Sequence, residues 1–249
     1  MNHVLGHTRF NVKWLIVAVL DAKLKRGSIV MNKTILVSDN HPLYKNVLGS
    51  EYPSIVVDPY SINTLDGVDF DETDLIVDLT CFDRNSKMDL YEHLDIVFDG
   101  PIVSDLTVNW GEYLIGQYEN VLGAVAAAFY SPKSCFEFYM KDDSIEEAAF
   151  DVFKKLGFDL EIVNHIGIGF TYPRVISQII NEAYFAKEEA LASNSDIDKA
   201  MKFGVNYPLG PFEWADKIGI EKILILLEEL REITGDARYR PSRLLRMNL

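Results

Sequence analysis

The chain has 249 residues, of which 48% are hydrophobic and 25% charged, so it can bury the core of one large domain or two small ones. The formal net charge of -14 excludes a nucleic-acid-binding surface, which needs clustered lysine and arginine. The two cysteines, Cys81 and Cys135, are far apart and lack metal-ligand spacing. Both are therefore expected to be core thiols in a reducing compartment, and no metal site is expected.

The first thirty residues contain a basic stretch, 1–13, followed by the apolar run 14–20. That run is shorter than the roughly 20 residues that cross a bilayer, and Asp21 and the basic residues after it replace a signal cleavage site. The sequence therefore predicts a cytoplasmic protein without a membrane partner. Because a strand-like segment begins just after Met31, residues 1–30 are interpreted as an extension outside the fold, and Met1 and Met31 both stay open as the start of translation.

Between Lys33 and Val163, short apolar runs rich in β-branched residues alternate with turns, which is typical of strands buried on both faces. These runs are Thr34–Val37, Ser54–Val57, Leu75–Asp78, Ile96–Phe98, Ile102–Val103 and Val121–Ala127. Helices are predicted at Pro42–Leu48 and at Ser144–Leu156, where apolar residues recur at helical spacing. The alternation predicts an α/β domain with a largely parallel sheet over residues 31–167.

Residues 168–249 show helical patterns alone and are predicted to form an all-α domain. The predicted helices are Arg174–Ala192, Asp196–Phe203, Pro211–Lys217 and Ile220–Ile233. Ser195 and Asp198 have the spacing of a capping box, and Gly204, Gly219 and Gly235 stand where helices are expected to stop.

Five short motifs in this second region indicate a protein family. They are Gly169-Phe170 before Arg174, Asn181-Glu182-Ala183, Asp196-Ile197-Asp198, Tyr207-Pro208-Leu209-Gly210-Pro211-Phe212, and Asp216. Their order and spacing closely resemble the C-terminal domain of the 3-hydroxyacyl-CoA dehydrogenase family. Carboxylates favour a helix N-terminus and prolines fix a tight corner, so the motifs indicate a fold without implying chemistry.

The resemblance implies a Rossmann-like domain upstream, with NAD bound by a Gly-x-Gly-x-x-Gly loop whose glycines let a helix approach the pyrophosphate. After its first strand this chain reads Ser38-Asp39-Asn40-His41-Pro42 instead. Ser38 is still a candidate cofactor contact. Asp58 stands where the family has an acidic residue for the ribose hydroxyls, although it is also interpreted as a simple turn residue. NAD is thus a cofactor by resemblance only.

The same resemblance aligns residues 123–137 with the family's catalytic segment without a gap. There a histidine removes the proton from the substrate hydroxyl while a glutamate orients it. Val125 occupies the histidine position, whereas Glu137 is retained. Ala128 and Pro173 occupy the positions of two family asparagines, so most of the family's polar catalytic groups are replaced.

Four further residues need an interpretation. Thr107 corresponds to the end of a family strand and is the candidate that keeps a hydroxyl for substrate. Glu137 has two interpretations, a retained site role or an ion pair with a lysine or arginine across the domain interface. His165 is expected in a strand at the domain junction and His41 in a turn, so neither is favoured as a replacement base.

Two functions stay open. The first is a pseudoenzyme, a 3-hydroxyacyl-CoA dehydrogenase-like protein that lacks conventional NAD-dependent activity and acts as a binding or assembly module. The second is a working oxidoreductase on 3-hydroxyacyl-CoA, in fatty-acid metabolism, with atypical cofactor binding and another base. The expected partners are an acyl-CoA-type ligand and a second copy of the chain, because residues 174–192 and 220–233 offer more apolar side chains than one chain needs.

Overall fold

The computed structural model describes residues 31–58 and 62–248, so the expectations for residues 1–30 lie outside it. A seven-stranded sheet forms the first part of the chain. Its strands are β1 (Lys33–Val37), β2 (Ser54–Val56), β3 (Leu75–Leu79), β4 (Ile102–Asp105), β5 (Val121–Val125), β6 (Cys135–Met140) and β7 (Asp159–Ile162). They lie in the order β2-β1-β3-β4-β5-β6-β7, and only β5 and β6 pair antiparallel.

Helices connect these strands and make up the rest of the chain. The connecting helices are α1 (Tyr44–Leu48), α2 (Arg84–Val97), α3 (Gly111–Gln117) and α4 (Glu146–Leu156). The helical region contains α5 (Tyr172–Glu188), α6 (Asn194–Gly204), α7 (Pro211–Ile218), α8 (Ile220–Thr234) and α9 (Arg243–Met247). The predicted fold class, a largely parallel Rossmann-like sheet plus an all-helical C-terminal region, is confirmed. All residues of β1, β3, β4 and β5 are buried, as expected of strands covered on both faces.

One predicted strand, Ile96–Phe98, is wrong, because its first two residues end α2. Asp83 starts this helix by accepting a hydrogen bond from the Ser86 backbone N–H at 3.1 Å. The buried positions of α2 recur at helical spacing, while Ile96 faces solvent and is 83% exposed. The apolar run is therefore a helix end at which Ile96 and Val97 are exposed and Phe98 is buried.

Strands β6 and β7 and helices α2 and α3 were not predicted from the sequence. Buried and partly buried residues alternate along β6, and most of β7 is exposed at the sheet edge. Neither strand has the continuous buried run that identified the central strands.

The predicted capping box at Ser195 and Asp198 is also wrong. The Ser193 hydroxyl caps α6 by accepting from the Asp196 N–H at 3.2 Å. Asp198 instead accepts from the Phe212 backbone N–H at 2.9 Å and so joins α6 to α7. A Cβ on Gly210 would lie 2.3 Å from Asp198, which explains why the corner between these helices needs glycine.

A polar network lies fully buried between α2 and the sheet. Lys87 donates to Asp78 at 2.6 Å and to the Ser104 hydroxyl at 3.2 Å, and the Tyr91 hydroxyl lies 2.5 Å from the same hydroxyl. The second oxygen of Asp78 accepts from the backbone and hydroxyl of Thr80. A buried ion pair offsets its desolvation cost only with such additional hydrogen bonds, so the network fixes α2 in one position on β3 and β4.

Candidate functional site

Loops that follow β1, β3, β4 and β5 meet at one edge of the sheet, because these strands run parallel. The strand order reverses between β1 and β3, since β2 lies on the far side of β1. Ligands of open α/β sheets bind in the crevice beyond the carboxyl ends of strands at such a reversal. This edge is called the carboxyl edge below. Of the predicted residues, Ser38, Thr107 and Ala128 lie there, and all three are buried.

The loop after β1 fills its part of the carboxyl edge with its own side chains. Ser38 donates to the Asn40 side chain at 2.7 Å and accepts from the Cys81 backbone N–H at 3.2 Å. His41 is 2% exposed, and its Nδ1 accepts from the Leu43 N–H at 3.1 Å. Because Nδ1 accepts, the ring proton lies on Nε2, which donates to another residue. The side chains of Ser38 and His41 therefore both form hydrogen bonds within the chain.

Asp105, at the end of β4, accepts the hydrogen bond from His41 Nε2. Its Oδ2 lies 2.8 Å from His41 Nε2, and its Oδ1 accepts from the Thr107 N–H at 2.8 Å and the Thr107 hydroxyl at 2.5 Å. The Thr107 hydroxyl in turn accepts from the Ala128 N–H at 3.1 Å. One hydrogen-bonded chain thus joins the loops after β1, β4 and β5, and the hydroxyl expected to meet substrate takes part in it.

Val125 and Glu137, the two residues that the sequence resemblance aligns with the family's catalytic dyad, lie on opposite faces of the sheet. Val125 pairs with Phe138 across β5 and β6, and both side chains pack in one apolar cluster. Glu137 precedes Phe138, and successive side chains of a strand alternate between faces. Val125 is fully buried, so a side chain at that position meets the core rather than Glu137.

Glu137 holds the start of α5. Its carboxylate accepts from the Thr171 N–H at 3.2 Å and from the Tyr172 N–H at 2.9 Å. A carboxylate at this end of a 17-residue helix satisfies free N–H groups and interacts favourably with the helix dipole. The hydrogen-bond partners of Glu137 in the described structure are these backbone groups, whereas an ion pair with lysine or arginine was the alternative interpretation.

The remaining aligned positions lie apart from this network. Pro173 is the second residue of α5 and is buried. Arg174 donates to the Tyr239 hydroxyl, and its guanidinium lies 5.3 Å from the centre of that ring. Asp58 follows β2 at the same edge of the sheet and is exposed.

Apolar side chains close the space between the carboxyl edge and the helical region. Cys81, Val108, Ala128 and Phe129 come from loops at this edge and join one buried cluster with residues of α5, α7 and α8. Burial, reinforced by the charge of Asp105, raises the pKa of the Cys81 thiol to about 12. Cys81 is therefore the core thiol that was predicted.

The same cluster contains most of the side chains from which a dimer was predicted. They are Ile176, Ile180, Ala183, Tyr184, Ile223, Leu224, Leu226, Leu227 and Leu230. Of the other two, Ile179 is partly buried against the cluster and Ala190 is exposed. The buried residues pack within a single chain, and the dimer itself stays a prediction.

A surface pocket of about 580 Å³ lies beside the start of α5. Its apolar walls include Phe136, Val175, Ile176 and Ile179, and Glu137 is among its polar residues. The volume is within the usual range for a small-molecule site. The pocket is separate from the buried network around His41, none of whose side chains line it.

Two further predictions are corrected by the structure. Cys135 is half-buried in β6 and lines the pocket, so it is not a core thiol. Burial still raises its pKa, and the charges of Glu161 and Asp159 act in the same direction. His165 is exposed and lies outside the strands.

Residues 31–58 and 62–248 contain no group of three or more His, Cys, Asp and Glu side chains able to hold a metal ion. Within the same ranges, no helix has the length and apolar character needed to cross a bilayer.

Sequence reasoning did not pair His41 with Asp105, which lies 64 residues away. The signal was present, because both residues follow predicted strands and the carboxyl ends of parallel strands share an edge. The sequence does not show in which direction the His41 and Asp105 side chains point, and that direction buries both of them.

Together, the mostly parallel sheet, the closed carboxyl edge and the helical region define a two-part protein of the Rossmann-like class. Residues 169–249 match the model of the 3-hydroxyacyl-CoA dehydrogenase C-terminal domain. A probable 3-hydroxybutyryl-CoA dehydrogenase from Deinococcus radiodurans is 30% identical over 196 residues, which cover 74% of this chain and 68% of the relative. The chain belongs to the 3-hydroxyacyl-CoA dehydrogenase family.

Other similarities differ in extent. The 3-hydroxyadipyl-CoA dehydrogenase of Escherichia coli is 51% identical over 73 residues, which cover 29% of this chain but 15% of that protein. A probable 3-hydroxybutyryl-CoA dehydrogenase of Bacillus subtilis is 41% identical over 104 residues, covering 41% of this chain and 36% of the relative. The (S)-3-hydroxybutyryl-CoA dehydrogenase structure from Ralstonia eutropha shares the fold, with a TM-score of 0.63 and 21% identity over 88% of this chain and 93% of that one.

The His41 network predicts a specific loss of stability. His41→Ala removes a donor from Asp105 and an acceptor from the Leu43 N–H, and each buried group left unsatisfied costs about 1–3 kcal/mol. The free energy of unfolding, measured by urea denaturation, should fall accordingly. His165→Ala, an exposed control, should leave the midpoint unchanged. An unaltered midpoint for His41→Ala would contradict the assigned network.

Proposed function

We propose that this chain is a family member that does not carry out conventional NAD-dependent dehydrogenation and acts as a binding or assembly module. One observation carries the proposal: the buried His41 side chain, bonded to Asp105, fills the crevice in which a Rossmann-like fold places its cofactor. The residues present do not fit NAD. The loop offers Asp39 and His41 in place of glycines that would let a pyrophosphate approach the backbone.

The catalytic positions support the same proposal. Valine cannot accept a proton, and loss of a positioned general base typically lowers a rate by a factor of about 10² to 10⁴. The opposite orientations of Val125 and Glu137 mean that restoring histidine at residue 125 does not rebuild the dyad. The alternative, an active oxidoreductase on 3-hydroxyacyl-CoA, needs a different base and a different cofactor position.

Fluorescence titration with NADH tests the proposal. No saturable binding is expected up to millimolar NADH, because the crevice is filled from within, and acetoacetyl-CoA should cause no oxidation of NADH. The Ralstonia eutropha enzyme named above serves as the positive control in the same buffer. Micromolar NADH binding accompanied by turnover would favour the active oxidoreductase instead.

The pocket beside α5 is where we propose that an acyl-CoA-type ligand binds. Its walls are mainly apolar, which suits the acyl part, and the exposed Lys133 at the pocket can meet the anionic part. This ligand class places the proposed role in fatty-acid metabolism, and we propose a cytoplasmic location for it.

Alkylation of Cys135 reports on that ligand, because the thiol lines the pocket. Octanoyl-CoA should slow the reaction of Cys135 with iodoacetamide, as followed by peptide mass spectrometry, since the acyl chain covers the thiol. Cys81 is an internal control that should stay unmodified because it is buried and its pKa is raised to about 12. Desulfo-CoA, which lacks both the acyl chain and the thiol that iodoacetamide would alkylate, is the ligand control. Equal alkylation rates with and without octanoyl-CoA would rule out this site.

We also propose that α6 contributes to a homodimer. None of its residues is fully buried, although Ile197 and Met201 lie half-buried on one side. Phe203 at its end is 82% exposed, and Val205 just beyond it is 55% exposed. Clustered exposed apolar side chains mark interaction surfaces.

Light scattering at micromolar concentration should give twice the 28.3 kDa mass of one chain. Phe203→Glu should shift the equilibrium to monomer, because a charge would be buried in the interface. Ile96→Glu is the matched control, since Ile96 is 83% exposed on α2. A wild-type mass of 28.3 kDa, or equal effects of the two substitutions, would refute the interface.

A further inference from the structure

A buried carboxylate from the helical region reaches the carboxyl edge of the sheet. Glu229 in α8 is 7% exposed, and its Oε1 accepts from the Trp110 backbone N–H at 3.0 Å. The same oxygen lies 3.6 Å from Arg84 Nε, and the other end of Arg84 bonds Glu232 at 2.5 Å. The Glu229 carboxylate therefore contacts two residues of the sheet region, Trp110 and Arg84.

Both of these residues lie next to loops at the carboxyl edge. Arg84 is the first residue of α2, which follows β3, and Trp110 immediately precedes α3, which follows β4. Trp110 also forms an antiparallel bridge with Ile168 in the segment leading to the helical region. The next residue of that segment, Gly169, donates to the Asn109 carbonyl at 3.2 Å. Glu229 thus joins α8 to two loops at the carboxyl edge.

The position of Glu229 has an energetic cost. Burial raises its pKa, and the Trp110 hydrogen bond and the Arg84 charge act against that rise. An ion pair in such surroundings adds little net stability, but removing one partner leaves the other group unsatisfied. A residue of this kind is suited to selecting one arrangement of the two parts of the chain.

We propose that Glu229 is an intramolecular latch, a contact that keeps the helical region closed over the carboxyl edge. The latch rests on the proposed function in one respect. A protein that binds no cofactor in this crevice can keep the crevice closed. In an open α/β sheet the crevice has to admit a ligand from solvent. Here the latch, the His41 network and the apolar cluster between them occupy that route.

Hydrogen-deuterium exchange on the full chain tests the latch. Glu229→Ala should speed exchange of the peptide covering residues 106–112 by about tenfold or more, because the buried Trp110 N–H loses its acceptor. Exchange in β3 should stay as slow as in the wild type, which separates local opening from unfolding. Glu228→Ala is the matched control, since Glu228 is half-exposed and pairs with Arg246 at 2.9 Å. Unchanged exchange over residues 106–112 in Glu229→Ala would overturn the proposal.

A second variant keeps the test decisive if Glu229→Ala does not fold. Arg84→Ala leaves the acceptor of the Trp110 N–H in place and should speed exchange over residues 82–86 alone. Unchanged exchange there would also count against the latch. The NADH titration is independent of both variants. If the wild-type chain binds NADH and Glu229→Ala still exchanges faster over residues 106–112, the proposed function is overturned and the latch is kept.

Discussion

The arrangement of the carboxyl edge depends on one buried carboxylate, Asp105. A carboxylate removed from water costs several kcal/mol unless hydrogen bonds replace its hydration. Asp105 obtains three donors, from the His41 ring and from the backbone and hydroxyl of Thr107. Because these donors belong to two different loops, satisfying one charge fixes the loops after β1 and β4 against each other. Through the Thr107 hydroxyl the constraint extends to Ala128 and the loop after β5.

This constraint holds the loops of the fold together through bonds within the chain. The sheet requires that polar atoms at the strand ends be satisfied, whether by a ligand, by water or by the chain itself. In this protein His41 supplies internal partners between loops of the sheet part, and Glu229 and Glu137 supply them where the two parts of the chain meet. The family motifs of the helical region serve the same purpose. Asp198 binds the start of α7, and Asn181 binds the backbone of Arg240 and Ser242.

Buried acids elsewhere in the sheet follow the same physical rule with different partners. Asp78 pairs with Lys87 inside the layer between α2 and the strands, where neither group is exposed. Glu229 pairs with Arg84 at the junction of the two parts, where Arg84 is partly exposed. The first pair fixes a helix on the sheet, whereas the second fixes the helical region on the carboxyl edge. Each acid is paired with a base from a neighbouring element, which limits how these elements can be arranged.

The sequence by itself determined the positions of strands β1 to β5 and of helices α1, α4 and α5 to α8, because continuous apolar runs and helical stripes are local patterns that burial imposes on neighbouring residues. It also determined the family, through the motifs between Gly169 and Asp216, and the absence of a glycine loop after β1. It did not determine the edge strand β7, whose residues are mostly exposed. It also did not determine helix α2, which includes Ile96.

Only the tertiary structure decided that His41 meets Asp105, that Val125 and Glu137 face apart, and that the apolar residues of α5 and α8 pack within one chain. Those facts depend on which strands share an edge and which way each side chain points. Both are set by contacts between residues far apart in the sequence, and no local pattern records them.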